Sequence, residues 1–278
     1  MELKITTLIE NNIDNNKKLK YEHGLSLYIE IDNKKILFDT GQTGDFIENA
    51  KLLNKSLDDL DYVILSHGHY DHSGGVQRLL QKLNKNTIIV MGEEYFYPKY
   101  KTIENDEYKF NGNSFSEDLL TNKGFSVDKI TNDITYISEK IIIFHNFKRF
   151  TSYEKRNERF FIKTQDGFVH DDFKDEIAIG IITKKGLAVV AGCSHIGIIN
   201  ILKTIKTRIN MNIYAVIGGT HMVEADDDRI NSTIKDLKDL KIDYIAVSHC
   251  TGEKATEEIK MNFKEKFIIN NTGNVIEI

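Results

Sequence analysis

Apolar, partly β-branched runs that end in histidine constrain this chain more than any other feature. The first is DYVILSHGHYDH, residues 61–72, in which Val63, Ile64 and Leu65 break at Ser66 into His67, Gly68, His69, Tyr70, Asp71 and His72. The others are GLAVVAGCSH ending at His195, IYAVIGGTH ending at His221, and YIAVSHC containing His249. Runs of this kind read as buried strands. Side chains at strand ends are held by a rigid sheet and can converge on one point. The pattern predicts a metal site assembled from distant parts of the chain along a sheet edge.

The elements around these runs predict an α/β fold. Strands are expected at 3–9 and 25–31, in ILFDTG (36–41), before His67, and at 87–91, 176–183, 187–191, 213–217 and 243–247. Helices are expected at 44–53, 75–83, near 196–209, 227–240 and 253–262. Ile230, Ile234, Leu237 and Leu240 form a stripe suited to packing on a sheet. Two short strands, FIIN and NVIEI, close the chain. Two β-rich halves with helices outside predict a four-layer αββα sandwich. No linker separates the halves, so one domain over 1–278 is expected, with an insertion or lid at about 92–160. Within that region 92–133 is polar, weakly periodic and partly helical in expectation. It contains Pro98 and the aromatics Tyr95, Phe96, Tyr97 and Tyr100. The stretch 146–160 carries Lys148, Arg149, Lys155, Arg156 and Arg159.

Composition narrows the function classes. A net charge of -5 without a long basic run gives no electrostatic case for a nucleic-acid partner. No apolar stretch reaches the roughly 18 residues of a membrane span. MELKITTLIE alternates as a strand and lacks the basic-then-apolar order of a secretory signal. Cys193 and Cys250 are too few for a disulfide framework. A cytoplasmic protein with a small-molecule substrate is the expectation, its oligomeric state left open.

Imidazole nitrogen and carboxylate oxygen at His67-X-His69-X-Asp71-His72 suit Zn²⁺, Fe or Mn. His67 and His69 can grip one metal from the same side of an extended turn, while Asp71 and His72 point to a second position. SHGHYDHSGG resembles the HxHxDH signature of the metallo-β-lactamase superfamily. Asp39 in FDTG resembles its early aspartate, and His249 in VSHC its last histidine ligand. EHGLS, DTG, SHGHYDHSGG, GCSHIGIIN, GGTHM and SHCTG together resemble one branch. The named member of that branch is an archaeal 7,8-dihydropterin-6-methyl-4-(β-D-ribofuranosyl)aminobenzene-5′-phosphate synthase.

The resemblance implies a metallo-β-lactamase-type sandwich and two divalent metal ions, zinc first, with iron or manganese as alternatives. It implies His67 and His69 as ligands of one metal, and Asp71, His72 and His249 as ligands of the other. His195 stands where an aspartate bridging both metals is usual. Cys193 is its rival. His170, or an oxygen from Asp171, Asp172, Asp175 or Glu176, is a further way to complete the shell. Asp39 is expected to orient a ligand histidine, His221 to contact substrate or donate a proton, and His23 to contact substrate.

The implied activity is hydrolysis by a metal-activated water, with Asp71 orienting the nucleophile or taking its proton. Phosphorylated and pterin-like small molecules are among the expected substrates. The basic residues of 148–159 could meet a phosphate, and the aromatics at 95–100 a planar ring. A dihydropterin-diphosphate-dependent transferase is the runner-up. A metal-containing sensor module without turnover is a third reading. A di-iron oxidoreductase is a fourth, for whose usual flavin domain this chain has no room.

Overall fold

The computed structural model describes residues 3–12, 18–104 and 107–278. The parts of the N-terminal and 92–133 readings that fall on residues 1–2 and 105–106 lie outside them. In chain order the elements begin with β1 (Lys4–Ile9), β2 (Ser26–Ile31), β3 (Lys34–Phe38), α1 (Phe46–Leu52), β4 (Tyr62–Leu65), α2 (Tyr70–Ser73) and α3 (Val76–Leu79). Next come β5 (Ile88–Gly92), β6 (Lys99–Thr102), β7 (Tyr108–Phe110), α4 (Glu117–Asn122), β8 (Ser126–Ile130), β9 (Ile134–Tyr136) and β10 (Ile141–Phe144). They continue through β11 (Phe160–Thr164), β12 (Gly167–His170), β13 (Ala178–Thr183), β14 (Gly186–Ala191), α5 (Ile198–Arg208) and β15 (Ile213–Gly218). The last are α6 (Asp227–Asp239), β16 (Tyr244–Val247), α7 (Glu253–Phe263) and β17 (Val275–Glu277).

The chain forms two compact units. One holds the residues up to Ile130 with Asn157–Asp175 and Asn271–Glu277; the other holds Thr131–Arg156, Glu176–Asn270 and Ile278. In the first, a seven-stranded sheet runs β17-β1-β2-β3-β4-β5-β8. Its β17 to β3 side is antiparallel, and β3, β4, β5 and β8 are parallel. Inner parallel strands are covered on both faces, so they read as continuous apolar runs. In β4, Val63 and Leu65 join the core beneath α1, α3 and α4, together with Phe46, Val76 and Leu120. Ile64, of opposite pleat, is buried on the other face. Phe38 pairs with Ile64, and Leu65 with Met91, so β3 and β4 end at one edge.

The first unit also carries a four-stranded antiparallel sheet, β12-β11-β6-β7. The stretch 92–160 is thus shared out: β6 and β7 enter this sheet, β8 edges the seven-stranded one, and β9 and β10 belong to the second unit. The second unit has a six-stranded sheet, β16-β15-β14-β13-β10-β9. Strands β14, β15 and β16 are parallel and joined through α5 and α6. Ala191 pairs with Gly218 and Gly218 with Val247, so these three also end at one edge.

Two expectations need correction. FIIN forms no strand, only a bridge from Phe267 to Ile245. The helix expected over 75–83 is regular only at Val76–Leu79, although Leu80 and Leu83 still bury their side chains. No helix among the described residues is long and apolar enough to cross a membrane.

Candidate metal centre

In the first unit, the ligand-type side chains hang on one fully buried carboxylate. Asp39 leaves β3 with a left-handed backbone, φ 60°. Its Oδ1 accepts the Ser66 N–H at 2.7 Å, and its Oδ2 accepts the Ser66 hydroxyl at 2.7 Å. The same Oδ2 lies 2.6 Å from His72 Nδ1. Ser66 Oγ is also 2.9 Å from His67 Nδ1. Because the single Ser66 hydroxyl proton goes to Asp39, His67 Nδ1–H must donate to Ser66. His72 Nδ1–H likewise donates to Asp39. The network therefore assigns the Nδ1–H tautomer to both rings and leaves Nε2 as the electron-pair donor of each. Orientation of this kind by a carboxylate is what a metal-ligating imidazole requires.

The donor atoms cluster. His67 Nε2 is 3.1 Å from His69 Nδ1. Ligand atoms of Asp71 and His72 lie within 4.8 Å of each other. Burial, reinforced by His72 and His69, holds the His67 imidazole well below its ordinary pKa, so the ring is neutral and its lone pair available. Short turns bring these residues together: a Cβ on Gly74 would sit 1.9 Å from the Gln42 carbonyl oxygen. His69 packs its ring on Phe160 and against Phe173. His23, expected as a substrate contact, points Nε2 at Asp71 Oδ2 across 3.1 Å and keeps half of its side chain in solvent.

In the second unit, Cys193, Ser194 and His195 follow β14, His221 follows β15 and His249 follows β16. Ser194, His221 and His249 have left-handed backbones, with φ of 60°, 46° and 55°. Non-glycine residues in that region store strain and cluster at functional sites. Cys193 and His249 are buried, with ligand atoms within 4.8 Å of each other. Glu176 fixes the turn carrying His195, accepting the N–H groups of His195 and Ile196 at 2.7 and 2.9 Å. The rings of His195 and His221 meet edge to face at 4.3 Å. Cys250 ties the turn together: its Sγ accepts the His221 N–H at 3.3 Å and lies 3.5 Å from the Cys193 carbonyl oxygen.

Other candidates have different partners. His170 stacks on Phe161 and meets Glu158 at 3.2 Å. Asp171 and Asp175 flank the Lys99 ammonium at 2.7 and 2.9 Å, Asp172 is exposed, and Glu176 caps the His195 turn. Arg149 donates to the backbone carbonyls of Glu154 and Ile196 at 3.1 and 3.2 Å, which commits one side of its guanidinium to the fold. Tyr95 is a core residue, not a surface for a ring. Sequence reasoning missed Ser66, which only the hydrogen-bond chain reveals, and Lys99.

A donor set of imidazole nitrogen, carboxylate oxygen and cysteine sulfur fits zinc or another transition metal; magnesium and calcium prefer all-oxygen shells. The residues present thus fit a divalent transition metal.

Comparisons with known proteins agree with this donor chemistry. The family model of the metallo-β-lactamase superfamily matches residues 20–182. A 7,8-dihydropterin-6-methyl-4-(β-D-ribofuranosyl)-aminobenzene-5′-phosphate synthase of Methanocaldococcus jannaschii is 35% identical, over 99% of this chain and 96% of its own. An uncharacterised protein of the same archaeon is 31% identical over 98% of this chain and 100% of its own. The solved structure of a metal-dependent hydrolase of the β-lactamase superfamily superposes with a TM-score of 0.85 at 29% identity, covering 99% of each chain. The expected fold class is the one found, and members of this superfamily bind divalent metals. On whole-length likeness in both sequence and backbone, the chain belongs to the metallo-β-lactamase superfamily.

Proposed function

We propose that this protein is a metal-dependent hydrolase of a small ester-like or phosphorylated molecule, built on two divalent cations, zinc first. In this reading His67, His69, Asp71 and His72 of the first unit are metal ligands, as are His195 and His249 of the second, with Cys193 as a thiolate. The observation that carries the reading is the Asp39 network. A buried carboxylate that sets the tautomer of His72, and through Ser66 that of His67, has a ready purpose if both Nε2 atoms bind metal. The nearness of Cys193 to His249 supports the thiolate.

Bound divalent cations acidify a water and polarise a substrate oxygen. The chain's own groups manage the protons. Asp71 accepts the proton of the attacking water, and His23, 3.1 Å from its Oδ2, orients that carboxylate toward the site. His221, held at a strained strand end, donates a proton to the leaving oxygen as the acyl–oxygen or phosphorus–oxygen bond breaks.

A second reading rests on the 35% identical synthase: displacement at a diphosphate-activated carbon by a nucleophile other than water. The two are separated by turnover in ¹⁸O-labelled water. Label in the product supports hydrolysis. Turnover of a pterin diphosphate only with an added arylamine acceptor, without label, supports transfer.

The reading is tested by metal analysis of natively produced protein, then assays on phosphodiesters, lactones, thioesters and pterin diphosphates. His67→Ala and Asp71→Ala should each lose metal and activity; full metal retention in both sinks it. Full metal content without turnover across the panel would favour a sensor. Cobalt substitution should give a near-ultraviolet thiolate charge-transfer band that vanishes in Cys193→Ser; a band unchanged in that variant excludes the thiolate.

A further inference from the structure

Lys99 lies at the start of β6, with a side chain 2% exposed, far from any histidine in sequence. Its ammonium sits 2.7 Å from Asp171 Oδ2 and 2.9 Å from Asp175 Oδ1. Both carboxylates have a second task. Asp171 Oδ1 accepts the Phe173 N–H at 2.7 Å, and Phe173 is an edge contact of the His69 ring. Asp175 Oδ2 accepts the N–H of Gly68 at 2.7 Å. Gly68 is the residue between His67 and His69. The approach is close: a Cβ on Gly68 would lie 2.5 Å from the Tyr95 carbonyl oxygen and 3.1 Å from Lys99 Cε.

We propose that Lys99 is a positioning residue for the His67–His69 pair, acting through Asp175 on Gly68 and through Asp171 on the Phe173 wall behind His69. The inference rests on the reading that His67 and His69 hold a metal. It also gives the four-stranded sheet a purpose other than a lid. β6 supplies Lys99, β11 supplies Phe160 beneath His69, and Asp171 follows β12 directly. The sheet is the back support of the ligand turn.

Electrostatics and positioning predict opposite signs. Two carboxylates against one ammonium leave one negative charge in the buried cluster. Removing Lys99 adds to that excess, and simple attraction would then tighten the binding of a cation nearby. A positioning role predicts weaker binding, because Asp175 loses the charge that holds it against Gly68. Loss of a group that orients a metal ligand typically weakens affinity about 10- to 100-fold.

The test is competition titration of metal-free protein with Zn²⁺ against a chromogenic chelator, on wild type, Lys99→Met, Asp175→Ala and the double variant. His69→Ala identifies which binding step belongs to its site. Expected is a loss of about 10- to 100-fold at that step in Lys99→Met and in Asp175→Ala, with the other step unchanged. The double variant should lose no more than the worse single one, since the two residues act in series. Wild-type affinity in Lys99→Met, or additive losses in the double variant, overturns the proposal. So does equal weakening of both steps with loss of circular dichroism, which marks a general structural role. If the variants do not fold, amide exchange in the metal-free wild type decides: a Gly68 N–H that exchanges as fast as an exposed loop amide overturns the link to Asp175. A wild type that binds no Zn²⁺ overturns the metal reading itself, an outcome distinct from all of these.

Discussion

Replacing Asp39 by asparagine changes no volume and probes the centre at its root. The carboxylate accepts three hydrogen bonds, two of them at Oδ2, from the Ser66 hydroxyl and from His72 Nδ1–H. Asparagine keeps one acceptor for the Ser66 N–H and presents an NH₂ group to the other two donors. Hydrogen bonds to charged groups contribute roughly 1.5–3 kcal/mol each, so the two lost at Oδ2 cost about 3–6 kcal/mol, offset in part by no longer burying an anion. The imidazole has one low-cost escape: His72 moves its proton to Nε2 and accepts from the new amide through Nδ1. That escape removes Nε2 as a metal donor. Asp39→Asn should therefore fold with reduced stability and bind metal about 10- to 100-fold more weakly, equal to about 1.4–2.7 kcal/mol. Chelator competition measures the affinity, urea unfolding of the metal-free protein measures the stability, and ¹⁵N spectra of the imidazoles report the tautomer. A folded variant with wild-type affinity and His72 still protonated at Nδ1 would refute the network as the organiser of the site.

Two further outcomes follow from other parts of the structure. The His67 imidazole stays neutral below its ordinary value of 6.5 because it is buried, whereas in the unfolded chain it takes up a proton near that pH. Stability of the metal-free protein should thus be fully present above about pH 6.5 and fall with acid by about 1.4 kcal/mol per pH unit for this one proton. Urea midpoints measured between pH 7.5 and 5.5 check this, and a slope unchanged in His67→Gln would assign the loss to other groups. In the second unit, the buried Glu154 carboxylate accepts the N–H groups of Ile199 and Asn200, each at 2.8 Å, at the first turn of α5. Glu154→Ala leaves both donors buried without that acceptor and should lower stability by about 2 kcal/mol or more; an unchanged urea midpoint would show that other groups meet them.

What the sequence made legible is what local pattern encodes. The inner parallel strands announce themselves as apolar runs because both their faces are covered, and the ligand turns stand out where such runs stop. Asp39 was readable as the residue that orients a histidine through the resemblance of FDTG to the superfamily's early aspartate. The four-stranded sheet was not readable. KYKT, YKF, FFIKT and GFVH are short, the first three mix lysines with aromatics, and β6 finds its partner β11 only after β7, α4, β8, β9 and β10 have intervened. Lys99 looked like any surface lysine, since its neutralising carboxylates lie 72 and 76 residues away in sequence. The backbone contacts of Arg149 were not readable either, because charge alone cannot tell a ligand-binding guanidinium from one that holds backbone carbonyls. Tyr95 looked like a stacking surface because an aromatic cluster beside a proline reads as a loop, whereas this ring is buried in the core.

The pairing of β17 with β1 has a consequence for how the protein stays monodisperse. Lys4, Ile5 and Thr6 find their partners at Glu277, Ile276 and Val275, distant in sequence. Whenever β17 is undocked, β1 is an open sheet edge, with its backbone N–H and C=O groups available to any extended segment that arrives first. A chain cut just before Val275 would keep every histidine and the whole Asp39 network, yet retain that open edge permanently. Its defect should appear as self-association during expression rather than as a damaged metal site.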